Sequence, residues 1–188
     1  TTLKVTKCSL DGVLLIEPTV FTDNRGFFLE SYQEERYCGA GVTENFVQDN
    51  HSRSMKHVLR GLHFTKNKPQ AQILTVIRGK IFDVVVDIRK ESSTFGQWFG
   101  TELGDDNIRQ IYMPHGFAHG FCVLSDYADL HYKVSQPYNV DDEGWLCWND
   151  PEIGIKWKTK SPIISERDYG HPLLAELDLN DNTQKNPF

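Results

Sequence analysis

The sequence has little of what marks most specialised protein classes. Its four cysteines, Cys8, Cys38, Cys122 and Cys147, are scattered and form no C-x-x-C pair. A disulfide framework or a zinc site would pack them more densely, so reduced, mostly buried thiols in a cytoplasmic protein are expected. No apolar run approaches the ~18 residues of a membrane-spanning helix. The N-terminus opens on no basic-then-apolar leader, so a soluble, non-secreted protein without a membrane partner is expected. Lys and Arg total 20 against 26 Asp and Glu, a formal net charge of −6. The basic face of a general nucleic-acid binder is therefore missing, although a few arginines in one pocket can still hold a small anion. There is no strand–GxGxxG–helix unit for a dinucleotide, and no internal repeat or linker.

What is present points to a single globular domain. The chain has 188 residues, 39% hydrophobic and 12% aromatic, enough for one core. Short segments rich in β-branched and aromatic residues dominate: "GVLLIEPTVF" (12–21), "GFFLESY" (26–32), "AQILTVIRG" (71–79), "KIFDVVVDIR" (80–89), "RQIYMP" (109–114), "HGFCVL" (119–124) and "ADLHYKV" (128–134). Turn residues separate them, which predicts an all-β sandwich, jelly roll or barrel. "VLRGLHFTKNKPQAQ" (58–72) reads as a strand entering a loop. A short helix is expected in "SYQEERYCGAG" (31–41), closed by Gly39 and Gly41. A helical turn or two is expected in residues 161–177. Residues 178–188 are polar and aperiodic, a mobile tail after a single domain spanning 1–177.

Chemistry concentrates at two histidines. In "PHGFAHGF" (114–121), Pro114, Gly116 and His119 make P-x-G-x-x-H, a tight turn leading into a strand. This spacing resembles the second motif of the cupin superfamily, whose fold is a small jelly roll. Metal-binding cupins add H-x-H and a glutamate from an earlier strand pair. Here His63 is followed by Thr65, and no Asp or Glu falls between His63 and Gly79. Two histidines alone do not complete a metal site, so no metal and no other cofactor is expected.

Seven segments in order, from "FTDNRGFFLESY" (21–32) through "VQDNHSRS" (47–54), "LRGLHF" (59–64), "FDVVVDIRKESSTFGQW" (82–98), "MPHGFAHGF" (113–121) and "HYKVSQPY" (131–138) to "WNDPEIGIKW" (148–157), extend the resemblance. Together they resemble the dTDP-4-dehydrorhamnose 3,5-epimerase family, metal-free cupins, over roughly residues 3–177. The resemblance implies a cupin jelly roll, a homodimer, and a nucleotide-diphosphate sugar substrate carrying a ketone at C4. A base removes a proton beside that ketone, an enolate forms, and an acid returns a proton to the other face. It also implies roles: His63 as base, Asp168 as the carboxylate that orients it, and Tyr132 as acid. Arg25 and Arg60 would hold phosphate and sugar, with Arg25 reaching the other subunit's pocket. Gln48 and Asn50 would read the pyrimidine, while Glu30, Glu143, His119 and Arg167 would line the nucleotide and sugar. Strand alternation would turn Tyr132 inward and Lys133 outward.

The chain departs from the family at one position. Gln72 stands in "QAQ" where the family pattern Q-x-K has a lysine near the C4 oxygen. An amide donates a hydrogen bond without charge, and charge-assisted bonds are roughly twice as strong. The departure leaves open a slower enzyme leaning on Lys66 or Lys68, or a relative inverting only C3 or only C5, or one taking another nucleotide such as CDP. A metal-dependent cupin and a non-catalytic sugar-binding cupin are the competing classes. The missing ligand set speaks against the first, and the presence of both His63 and Tyr132 against the second.

Overall fold

The computed structural model describes residues 2–179. Two sheets face each other. The first runs, in spatial order, β1 (Leu3–Lys7), β2 (Leu14–Pro18), β10 (Gln110–Met113), β7 (Gln72–Arg78), β12 (Tyr127–Val134) and β5 (Gln48–Met55). The second runs β13 (Glu143–Trp145), β6 (Val58–Thr65), β11 (Phe117–Val123), β8 (Lys80–Asp87) and β9 (Trp98–Gly104). A short β14 (Ile163–Ile164) lies parallel to β6; the other pairings are antiparallel. β3 (Val20–Asp23) and β4 (Gly26–Leu29) form a separate hairpin. The run at 12–21, expected as one strand, is thus divided at Thr19, where the chain leaves the first sheet.

Alternation builds the interior. Leu74, Val76, Ile111 and Leu130 from the first sheet meet Ile81, Val85, Phe117 and Phe121 from the second, the two-layer packing of an all-β domain. The outer face of the second sheet presents Leu59, Leu62, Phe82, Val84 and Val86, covered by the C-terminal segment through Leu146, Trp148, Ile153 and Leu177. Leu179 is buried in that cluster, so packing continues past the expected boundary at 177. The rest of the expected tail, 180–188, lies outside the described residues. The outer face of the first sheet is capped by Tyr37, Val42 and Phe46.

Tyr37 belongs to α1 (Glu34–Gly39), the helix expected within 31–41. The Gln33 side chain accepts the Arg36 amide at 2.7 Å, and Glu34 and Glu35 occupy its electropositive first turn. The helical turn or two expected in 161–177 are two 3₁₀ turns, Glu166–Asp168 and Leu174–Glu176, preceded by β14. All four cysteines are free, but only Cys122 is fully buried and Cys38 is exposed. Among the described residues no helix is long and apolar enough to cross a membrane.

Candidate active site

Between the sheets lies a cavity of about 420 Å³, within the range of small-molecule sites. His63 and Arg60 both line it, although residues three apart on a regular strand face opposite ways. A bulge resolves this. β11 pairs His119 with His63 and then, after a register shift, Phe121 with Arg60. The extra residue on β6 re-aims the chain so that both side chains point inward. Gly61 makes the bulge possible: its φ is +128°, and a Cβ there would lie 2.6 Å from the Gly120 Cα.

His63 Nε2 lies 2.7 Å from Asp168 Oδ1, and Asp168 is only 4% exposed. Burial alone would raise the Asp168 carboxyl. The hydrogen bond and charge of His63, the Gly61 amide and the Ser165 hydroxyl outweigh it and hold the group below its ordinary range. With Nε2 committed to Asp168, Nδ1 is turned toward Glu143, whose Oε1 is 3.9 Å away. Glu143 Oε2 in turn accepts Arg167 at 2.8 Å and the Tyr138 hydroxyl at 3.2 Å.

Tyr132 enters from the opposite sheet, on β12, and lines the same cavity. Burial raises its phenol above the ordinary value; Arg60 opposes that rise and Glu143 adds to it. Its neighbour Lys133 turns away, as alternation requires, and bonds Asp49 at 2.8 Å. Arg60 is steadied by the Ser54 hydroxyl at 2.9 Å. Gln48 donates to Asn50 at 2.8 Å and accepts the Tyr138 amide at 3.2 Å. The Asn50 amide group therefore remains free to donate to a ligand. Gln72 donates to Gln70 at 3.0 Å, and Gln70 donates to the Gln136 carbonyl at 3.0 Å. Lys68 lines the cavity, while Lys66 lies over the Trp145 ring.

The structure thus brings His63, Tyr132, Arg60, Gln48, Asn50, Gln72, His119, Glu143 and Arg167 to one cavity, with Asp168 directly behind His63. It does not bring Arg25 or Glu30 there within one chain. Arg25 sits on the β3–β4 hairpin, 86% exposed and paired with Asp23 at 2.5 Å; Glu30 pairs with Arg36 at 2.6 Å.

A model of the dTDP-4-dehydrorhamnose 3,5-epimerase family matches residues 7–176. The chain belongs to that family. It is 48% identical to the dTDP-4-dehydrorhamnose 3,5-epimerase of Methanothermobacter thermautotrophicus over 90% of this chain and 94% of that protein. It is 48% identical to the Salmonella typhimurium enzyme of the same name over 94% and 98%. Among solved structures it resembles dTDP-6-deoxy-D-glucose-3,5-epimerase from Legionella pneumophila in complex with dTDP-4-keto-L-rhamnose. There the TM-score is 0.91 at 43% identity, covering 95% of this chain and 96% of that one. The family is one of isomerases, and the fold is its cupin jelly roll.

Asp83 is the residue that sequence reasoning missed. It is fully buried on β8, and its Oδ2 lies 2.7 Å from His119 Nε2. Its other oxygen has no hydrogen-bond partner among the described residues. The signal was there: in "IFDVVVD" Asp83 falls in phase with Ile81 and Val85, so a carboxylate occupies an inward position. Tyr138 also lines the cavity, a place that its motif "HYKVSQPY" does not reveal.

Proposed function

We propose that the protein inverts C3 and C5 of a dTDP-linked 4-keto-6-deoxyhexose on the route to a rhamnose-like sugar. The carrying observation is the placement of His63 and Tyr132 on opposite sheets across one cavity, with His63 backed by Asp168 at 2.7 Å. The ketone acidifies the adjacent C–H. Neutral His63, its Nε2–H held on Asp168, takes that proton at Nδ1, and the carboxylate steadies the imidazolium that results. Tyr132, a phenol that burial raises further above its ordinary value, returns a proton from the other side, so the carbon leaves inverted. The chemistry calls on no redox cofactor, because no electrons leave the sugar. Gln48 and Asn50 hold the pyrimidine, and Arg60 and Arg167 the diphosphate and sugar.

A homodimer completes the site. The 20–29 hairpin exposes Phe21, Phe27 and Phe28 at 51%, 64% and 70%. An apolar arm of that kind needs a cover, and a second copy would carry Arg25 and Glu30 toward the neighbouring cavity. Sedimentation at micromolar concentration tests this; a monomer would refute it.

Incubation with dTDP-4-keto-6-deoxyglucose in D₂O, followed by NMR at C3 and C5, tests the reaction. Deuterium should enter at both carbons, and Tyr132→Phe should keep part of that exchange while blocking inversion. Absence of exchange at either carbon in the native protein would overturn the assignment. A second reading, inversion at one carbon only or on a CDP-sugar, is favoured by Gln72, which supplies no charge to the enolate. The same spectra, recorded with both nucleotides, separate the two.

A further inference from the structure

Two-group inversion leaves the sugar in proton balance but not the enzyme. Each inversion moves a proton from carbon to His63 and another from Tyr132 to carbon. The protein is left with an imidazolium and a phenolate, on strands of different sheets with the substrate between them. Before His63 can act again, a proton must leave it and one must reach Tyr132. Inversion of two carbons by one base demands this twice per turnover.

Glu143 is the group placed to carry it. Its Oε1 lies 3.9 Å from His63 Nδ1, the nitrogen that Asp168 leaves free. That is beyond a hydrogen bond but within reach of one bridging water or a small rotation. Its Oε2 is anchored by Arg167 and Tyr138 at 2.8 and 3.2 Å, so the carboxylate is fixed while Oε1 faces the base. Glu143 is 14% exposed and lines the cavity that Tyr132 lines. Its negative charge also raises the Tyr132 phenol, behind the larger effect of burial.

We propose that Glu143 is the proton relay that resets the His63–Tyr132 pair between inversions. The Nδ1–H bond of the imidazolium breaks as an O–H bond forms at Oε1. That O–H bond then breaks as the proton passes, through water in the cavity that both residues line, to the Tyr132 phenolate. His63 ends neutral, Glu143 ionised and Tyr132 a phenol, with no electron gained or lost. This rests on the epimerase reading and gives Glu143 a role beyond holding substrate.

The test uses full-length Glu143→Gln with dTDP-4-keto-6-deoxyglucose in D₂O. Rapid quench and mass spectrometry count deuterium per active site. The native protein should give linear incorporation. Glu143→Gln should give a burst stoichiometric with sites and then a steady phase slower by about 10²-fold, the scale of a lost proton-transfer group. That phase should quicken as acetate or imidazole buffer is raised at constant ionic strength, because a small acid–base pair substitutes for the carboxylate. Arg167→Met, which keeps the carboxylate and removes one anchor, should raise KM without buffer dependence. Linear, buffer-insensitive kinetics in Glu143→Gln, or a loss confined to KM as in Arg167→Met, would overturn the relay. Should Glu143→Gln fail to fold, Glu143→Asp retains a withdrawn carboxylate and should show the same buffer acceleration; its absence counts equally against the relay. Native protein that exchanges nothing would instead refute the epimerase assignment itself, so the two failures are distinct.

Discussion

His63 and His119 sit opposite one another on neighbouring strands, and each leans on an aspartate at 2.7 Å. The two pairs are otherwise built differently. Asp168 arrives from a 3₁₀ turn far along the chain, and the Gly61 amide and the Ser165 hydroxyl complete its hydrogen bonding. Asp83 comes from the adjacent strand, is fully buried, and leaves one oxygen without a partner among the described residues. The His63 side chain is 37% exposed and that of His119 13%. A base that must gain and lose a proton each cycle needs water nearby and a carboxylate content in either charge state. A histidine that only shapes the sugar pocket needs neither. On the proposed mechanism the His63 pair is the working dyad and the His119 pair a fixed polar wall.

The largest effect expected from this difference is on proton removal. His63→Ala should abolish solvent deuterium exchange at both carbons, because no enolate forms; groups of this kind contribute ~10²–10⁴-fold in rate. His119→Ala should retain slower, measurable exchange by NMR in D₂O. If His119→Ala is equally dead, the division between working dyad and fixed wall fails.

The aspartates sharpen the same contrast. Asp168→Asn keeps the shape but favours the wrong tautomer of His63, and exchange should fall by ~10²-fold or more. Asp83→Asn should cost stability instead, about 1–3 kcal/mol for disturbing a buried, incompletely satisfied polar pair, with a smaller loss of rate. Urea unfolding and exchange rates measured on both variants decide it. Equal losses in rate would make the dyads equivalent.

A smaller difference should appear in acid. The Asp168 carboxyl is held below its ordinary range in the fold, so on acidification the unfolded chain takes up this proton first. Stability from Asp168 is then fully present above the ordinary carboxylate value near ~3.9 and is lost as the pH falls through the lower folded value. Urea midpoints of native protein and Asp168→Asn, compared from neutral to acid pH, should converge in that window. A gap that stays constant would mean that the ion pair contributes no pH-dependent stability.

Much of this was legible in the sequence, and the exceptions have physical causes. The apolar strands and the short helix stood out because their periodicity reports a buried face. β5 did not, since "QDNHSRSM" is polar on both faces: one lines a polar cavity and the other meets solvent. Arg60 and His63 were placed together by family resemblance; strict alternation would have separated them, and the bulge at Gly61 that reunites them has no period to read. Asp83 was hidden because a single carboxylate in a hydrophobic run looks like noise until its partner is seen. Arg25 and Glu30 stay off the cavity because their place, on the reading above, is beside a second copy.

The smallest expected effect is at Gln72, on the wall opposite the working dyad. Its amide nitrogen is already engaged with Gln70, and Gln70 with the Gln136 carbonyl. What remains for an enolate is one neutral N–H and a carbonyl oxygen that would oppose negative charge. A lysine here would offer an ammonium, and charge-assisted hydrogen bonds are roughly twice as strong as neutral ones. A difference of about 1 kcal/mol corresponds to roughly fivefold in rate. Gln72→Lys should therefore quicken exchange at the slower carbon by about that factor and change the faster one less, drawing the two rates together. Lys68, which lines the same cavity, would limit the gain if its ammonium reaches the enolate, because a second ammonium then adds less. Deuterium incorporation at C3 and C5, followed separately, reads the effect directly. If the native protein inverts both carbons at comparable rates and Gln72→Lys changes nothing, the neutral amide is an adequate partner. Stabilisation of the C4 oxygen would then rest on Arg60 and Lys68.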